Sequence, residues 1–174
     1  MHAYKVVFVG DSGVGKTSLI KAFIGQNPTD VRSTISADIY TFRKEDILVV
    51  VWDLAGQEWY RDIIANFLRG AILAVMVFDL SRPATLYSLI RNWMNLVIEF
   101  AGPHTLIVVV GNKKDIKKID DQIIAAVLDK LKEKLRVNFY IQTSAIRNEN
   151  VSKVFDVIFE LVKSIHCILA ARRG

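Results

Sequence analysis

The sequence predicts a three-layer α/β fold: a mostly parallel sheet of six strands, one of them antiparallel, with helices on both faces. Three observations predict it. A complete G-x-x-x-x-G-K-[ST] pattern, Gly10-Asp11-Ser12-Gly13-Val14-Gly15-Lys16-Thr17, joins an apolar run to an amphipathic one. Lys5–Val9, Ala71–Phe78 and Leu106–Val110 are nearly continuous apolar runs, the pattern of parallel strands covered on both faces. Between these runs, apolar residues recur at helical spacing.

In chain order, Lys5–Val9 reads as the first strand and the amphipathic Ser18–Ile24 as the first helix. Thr41-Phe42 and Ile47 flank the polar turn Arg43-Lys44-Glu45-Asp46, so these strands form an antiparallel hairpin, the second of them running over Ile47–Trp52. The strand over Ala71–Phe78 is followed by Pro83, which suits a first helical turn, and by the stripe Leu86, Leu89, Ile90, Trp93, Leu96, Val97 and Phe100. After Leu106–Val110 comes a second stripe of Ile119, Ile123, Ile124, Val127, Leu128, Leu131 and Leu135, with Asp120 near its helix start. A short strand, Phe139–Ile141, comes next. Asn150 then precedes a last stripe running from Val151 through Phe155 and Ile158 to Leu169. No repeat or linker interrupts the 174 residues, and one domain spanning 1–174 is expected.

Composition narrows the class. With 52% hydrophobic and 24% charged residues, the chain reads as a soluble globular protein. No stretch reaches the 18 or more apolar residues of a membrane span, and the N-terminus has no signal-peptide pattern. A lone cysteine, Cys167, excludes an internal disulfide and fits a reducing compartment, so a cytoplasmic location is expected, with membrane association only through a lipidated tail not in this sequence; a monomer is also expected. The net charge of +5 is mild, with Lys16 and Lys113 turned to a ligand and the Lys117–Arg136 lysines on a solvated helix face. Nothing reads as a nucleic-acid module. The C-terminal residues carry no prenylatable cysteine, so no lipid anchor is expected in this chain.

The chemistry lies at the carboxyl ends of the strands, where such a sheet holds its ligands. In the glycine loop, small residues let the backbone N–H groups of Ser12, Gly13, Val14 and Gly15 converge on phosphate oxygens, and Ser18 sits in the first helical turn. Lys16 would reach the β- and γ-phosphates, and the Thr17 hydroxyl would ligate Mg²⁺. Asn112-Lys113-Lys114-Asp115 follows an apolar strand. A carboxylate at Asp115 can accept two parallel hydrogen bonds from guanine N1–H and the 2-amino group; adenine offers neither donor, so the carboxylate would be left unpaired. Asn112 can tie the loops together, the Lys113 stem can lie over the purine, and Ser144-Ala145 would supply a backbone N–H to guanine O6. Asp53-Leu54-Ala55-Gly56-Gln57-Glu58 ends another strand. There Asp53 would hold Mg²⁺ through water, the Gly56 N–H would meet the γ-phosphate, and Gln57 would orient the attacking water. Thr34 is placed to close over the nucleotide as a second hydroxyl on the cation. Loss of the γ-phosphate would release both loops.

Together these segments resemble the Ras superfamily of small GTPases over nearly the whole chain. The glycine loop, Trp52-Asp53 with Ala55-Gly56-Gln57-Glu58, Arg69-Gly70-Ala71 and Asn92-Trp93 are similar to Rab proteins. The resemblance implies a P-loop NTPase G domain that cycles between GTP and GDP with Mg²⁺ and hydrolyses GTP slowly, in vesicle trafficking or related signalling. The catalytic residues it implies are Lys16, Thr34 and Gln57. It implies an exchange factor, a GTPase-activating protein and effectors, reached through Ile35–Ile39 and the Trp59/Tyr60 region. A nucleotide-locked binding module with negligible hydrolysis is the alternative. Two departures stand out: Ile35-Ser36-Ala37-Asp38-Ile39 replaces the Rab pattern Ile-Gly-Val-Asp-Phe, and no aromatic residue lies between Phe23 and Tyr40. The family commonly carries an aromatic before the switch threonine that packs against the guanine, and without it the resemblance implies faster nucleotide release.

Overall fold

Seven consecutive residues from Leu73 to Asp79 are buried, as are six of the seven from Leu106 to Asn112, which makes these the inner strands of a sheet covered on both sides. The computed structural model describes residues 2–31, 37–56 and 61–171. Its strands are β1 (His2–Val9), β2 (Ala37–Lys44), β3 (Ile47–Leu54), β4 (Leu73–Asp79), β5 (Leu106–Asn112) and β6 (Arg136–Gln142). They lie in the order β2-β3-β1-β4-β5-β6, and β2–β3 is the antiparallel pair. The remaining neighbours are parallel. The fold class read from the sequence therefore holds, with strands longer than the apolar runs that announced them.

The hairpin closes through Glu45-Asp46, with Lys44 opposite Ile47 and Glu45 at φ 56°. β2 is one of the two edge strands, and all eight of its residues are exposed or half-buried.

Alternation along the strands divides the core. Val6, Phe8, Val75, Val77, Val108 and Val110 face α1 (Lys16–Phe23) and the last helix, α5 (Val151–Ala171). Val7, Val9, Met76 and Val109 face the other side, against α2 (Arg61–Leu68), α3 (83–101) and α4 (Asp121–Lys132). Asp120 caps α4 by accepting the Gln122 N–H at 2.7 Å. The α4 stripe is narrower than its sequence suggests, because Ile123 is exposed. Asn150 does not cap α5: it sits at φ 56° and its side-chain amide donates to the Gln142 carbonyl at 2.8 Å. On α5, Cys167 is exposed. No helix among the described residues is long and apolar enough to cross a membrane.

The third helix departs from a plain α-helix. It runs as α-helix over Pro83–Ser88, π-helix over Leu89–Trp93, α-helix over Met94–Leu96 and π-helix over Val97–Ala101. The Met94 N–H bonds the Leu89 carbonyl and the Gly102 N–H the Val97 carbonyl, each five residues back. The change of register alters the stripe: Leu86, Leu89, Trp93 and Val97 are buried as the spacing predicts, but Met94 is buried too, while Ile90, Leu96 and Phe100 are only half-buried.

Candidate functional site

A cavity of about 390 Å³ opens over the carboxyl ends of β1, β3 and β5. From the glycine loop and α1 it is lined by Ser12, Gly13, Gly15, Lys16, Thr17 and Ser18. Gly56 lines it after β3, and Asn112, Lys113, Asp115 and Ala145 line it from the far side. Val14 and Ser144 are buried behind these residues.

The glycine loop is bent by contacts that exclude a side chain. Gly15 adopts φ 99°, and a Cβ there would lie 2.2 Å from the Asn112 amide nitrogen. Among the described residues no side chain caps α1, and its first turn has no acidic residue, so its leading N–H groups stay available to an anion. Lys16 is 6% exposed, and its Nζ donates to the carbonyls of Gly10 at 2.7 Å and Asp11 at 3.1 Å. Burial lowers its ammonium to about 8, against the opposing pull of Asp53 and Asp11.

Asp53 is fully buried at the end of β3. Its Oδ2 accepts the Thr17 hydroxyl at 2.5 Å, while its Oδ1 has no hydrogen-bond partner among the described residues. Burial pushes this carboxyl up to about 6, although Thr17 and Lys16 pull it down. A hydroxyl and a buried carboxylate oxygen in need of a partner suit Mg²⁺, which takes one or two protein ligands and fills its octahedron with phosphate oxygens and water. No cluster of three or more His, Cys, Asp or Glu among the described residues could hold a metal by itself. Thr17 and Asp53 therefore fit a cation that arrives with phosphate.

On the opposite wall, Asn112 spans three segments. Its Nδ2 donates to the Val14 carbonyl at 3.0 Å, and its Oδ1 accepts from Thr143 Oγ1 at 3.1 Å and the Ala145 N–H at 3.2 Å. Ser144 Oγ donates to Asp115 Oδ1 at 2.6 Å, which fixes one edge of that carboxylate. Lys113 adopts φ 64° and pairs with Asp79 at 2.7 Å. Burial alone would raise the Asp79 carboxyl, but hydrogen bonds from Lys113, Ser81 and Arg82 overcome it and hold the group down at about 2.

Thr34, Gln57, Ile35, Ser36, Trp59 and Tyr60 lie outside the described residues, so the site has no geometry for them. Ala37, Asp38 and Ile39 begin the edge strand β2, with Ile39 exposed. The structure also brings in residues that sequence reasoning passed over. Asp79 and Arg82 join the site from the end of β4, and Asp11 holds the outside of the glycine loop. Val31, Ile116 and Ile146, all exposed, also line the cavity. Asp79 could have been noticed as a carboxylate closing an apolar strand; the three aliphatic residues carry no local signal.

Sheet order, a glycine loop opening α1 and a cavity over the strand ends define a G domain of the Ras type. The Ras family model matches residues 5–164, and the chain belongs to the Ras family. It is similar to Ras-related protein RABA5a of Arabidopsis thaliana, with 31% identity over 98% of this chain and 77% of that protein. It is 34% identical to Ras-related protein Rab-11A of Dictyostelium discoideum over 94% of this chain and 78% of that one. Ras-related protein rab-11.1 of Caenorhabditis elegans is 32% identical over 94% of this chain and 79% of its own length. The chain is thus a small GTPase of the Ras family with Rab relatives.

Proposed function

We propose that this chain is a guanine-nucleotide switch that binds GTP and GDP with Mg²⁺, hydrolyses GTP slowly and changes its partner surface with the nucleotide. The observation that carries the reading is Asp53: a fully buried carboxylate with one oxygen on Thr17 and the other without a partner among the described residues, beside a buried lysine. Bound Mg²⁺ would supply charge neutralisation for the phosphate oxygens. Lys16 and the N–H groups of residues 12–17 would bind the phosphates, and the Gly56 N–H would meet the γ-phosphate. Gln57 would orient water for in-line attack, and Thr34 would close the site; both assignments rest on their sequence position. Asp115, held by Ser144, would select guanine by accepting from N1–H and the 2-amino group. Exchange factor, activating protein and effectors would use Ile35–Ile39 and Trp59/Tyr60, and the Rab relatives make vesicle trafficking the role to test.

Two measurements test this. Calorimetry on the wild type should show GDP preferred over ADP by at least about a hundredfold, and Asp115→Ala should erase most of that preference. Single-turnover phosphate release should run on the order of 10⁻⁴ s⁻¹ and fall further in Gln57→Leu. Equal affinity for GDP and ADP would overturn the guanine reading. Tight guanine-nucleotide binding with no phosphate release would leave the nucleotide-locked binding module in its place.

A further inference from the structure

Two side chains of α3, five residues apart, meet on one oxygen of the glycine loop. Ser88 Oγ donates to Asp11 Oδ1 at 2.6 Å, and Trp93 Nε1 donates to the same oxygen at 2.8 Å. Both donors are buried, Trp93 at 1% exposure. In an α-helix, residues five apart point roughly 140° away from each other, at 3.6 residues per turn. Here the π-helical turn over Leu89–Trp93 stacks them instead, so both reach the same acceptor. Asn92 Nδ2 supports Ser88 Oγ from behind at 3.0 Å. The start of the same helix adds a third hold, since Arg82 Nη2 donates to the Ser12 carbonyl at 3.0 Å.

These contacts hold the Asp11 side chain and the Ser12 carbonyl, on either side of the Asp11–Ser12 peptide, and Gly56 packs directly on that peptide. A Cβ on Gly56 would lie 2.3 Å from the Ser12 nitrogen and 2.4 Å from the Asp11 carbonyl carbon. The loop downstream is held by a different residue, because Val14 is tied through its carbonyl to Asn112. The loop is therefore anchored at residues 11–12 by α3, at the Gly10 and Asp11 carbonyls by Lys16, and at residue 14 by Asn112.

We propose that Ser88 and Trp93 are positioning residues for the γ-phosphate half of the site, acting through Asp11 on the peptide over which Gly56 closes. The proposal rests on the reading of the cavity as a GTP site. Removing these donors loosens the peptide that a triphosphate needs and leaves the diphosphate cradle in place. Discrimination between GTP and GDP then falls, while GDP binding persists.

The test compares dissociation constants for fluorescently labelled GDP and a labelled non-hydrolysable GTP analogue at fixed Mg²⁺. The proteins are the wild-type chain, Ser88→Ala, Trp93→Phe, Asp11→Ala and Asp11→Asn. Trp93→Phe keeps most of the ring volume and loses the indole N–H. Ser88→Ala removes a single hydroxyl and guards against a variant that fails to fold. Expected are a loss of about tenfold for the triphosphate analogue in Trp93→Phe and Asp11→Ala and about threefold in Ser88→Ala, with GDP held within about twofold. Asp11→Asn, whose amide oxygen still accepts both donors, should retain wild-type discrimination. Equal weakening for both nucleotides would mean a purely structural role and overturn the proposal, as would no change for either. Should the wild type take up neither labelled nucleotide, the site reading itself falls and this proposal with it.

Discussion

The Lys113 ammonium lies 2.7 Å from Asp79 Oδ2, so the lysine of the Asn112–Asp115 loop is anchored to the end of β4. Asp79 also accepts from Ser81 N–H and hydroxyl and from Arg82 Nε, which makes it a junction of charge-assisted hydrogen bonds. Through Arg82 the same junction reaches the Ser12 carbonyl. One carboxylate thus steadies the base side and the phosphate side at once.

Asp79→Ala should therefore speed release of labelled GDP by about tenfold, because Lys113 and Arg82 both lose their shared partner. The preference for GDP over ADP should survive, since Asp115 and Ser144 are untouched. Displacement of labelled GDP by excess unlabelled nucleotide gives the rate, and parallel competition with ADP gives the preference.

Asp53 predicts a pH dependence. Its folded carboxyl stands at about 6, above the ordinary 3.8, with burial as the main cause. Below pH 6 a proton must leave before a cation can bind, so the Mg²⁺ concentration needed to retain GDP should rise about tenfold per pH unit as the pH falls. For the nucleotide-free chain the sign is opposite. Between pH 3.8 and 6 the folded form binds more protons than the unfolded one, so stability falls by about 3 kcal/mol as pH rises through that window. Asp79 acts lower on the scale: its folded carboxyl is at about 2, so its contribution is present above 3.8 and fades as pH falls towards 2. Urea melts at pH 4.5 and 7.5 and Mg²⁺ titrations at the same two values check both signs.

Gly56→Ala should separate the two nucleotides. The added methyl would meet the Asp11–Ser12 backbone at 2.3 to 2.7 Å, and backbone cannot yield as the end of a flexible side chain can. GDP should still bind, while affinity for a triphosphate analogue should drop by at least about tenfold. Labelled-nucleotide titration reads both.

Stability rests on an aromatic cluster away from the site. The Phe155 ring of α5 stacks on Phe23 with centroids 3.7 Å apart and packs near Phe8 and Phe42 at 6.0 and 5.6 Å. Phe155→Ala should cost about 3–5 kcal/mol, measured as a lower urea midpoint with an unchanged slope.

Much of this was legible in the sequence because two kinds of signal agreed. Apolar runs announced β1, β4 and β5, since strands covered on both faces must be apolar throughout. The glycine pattern and Asn112-Lys113-Lys114-Asp115 fell at strand ends, and their residues line one cavity. Other features had no local signature. α2 spans only Arg61–Leu68, too short for a periodicity to declare itself. The π-helical turns of α3 bury Met94 and leave Ile90, Leu96 and Phe100 half-buried, a shift that apolar spacing does not announce. Asp11, Ser88 and Trp93 are 77 and 82 residues apart along the chain, so only the folded sheet reveals that they meet. Asp79 reads as a strand-end acid until Lys113 and Arg82 are seen to converge on it.

Asn112 gives the three loops a common fate. With one amide bonded to Val14, Thr143 and Ala145, none of these segments can open without breaking a bond that also steadies another. They form a single cooperative unit, and their backbone amides should exchange with deuterated solvent at matched rates, slowing together as occupancy rises.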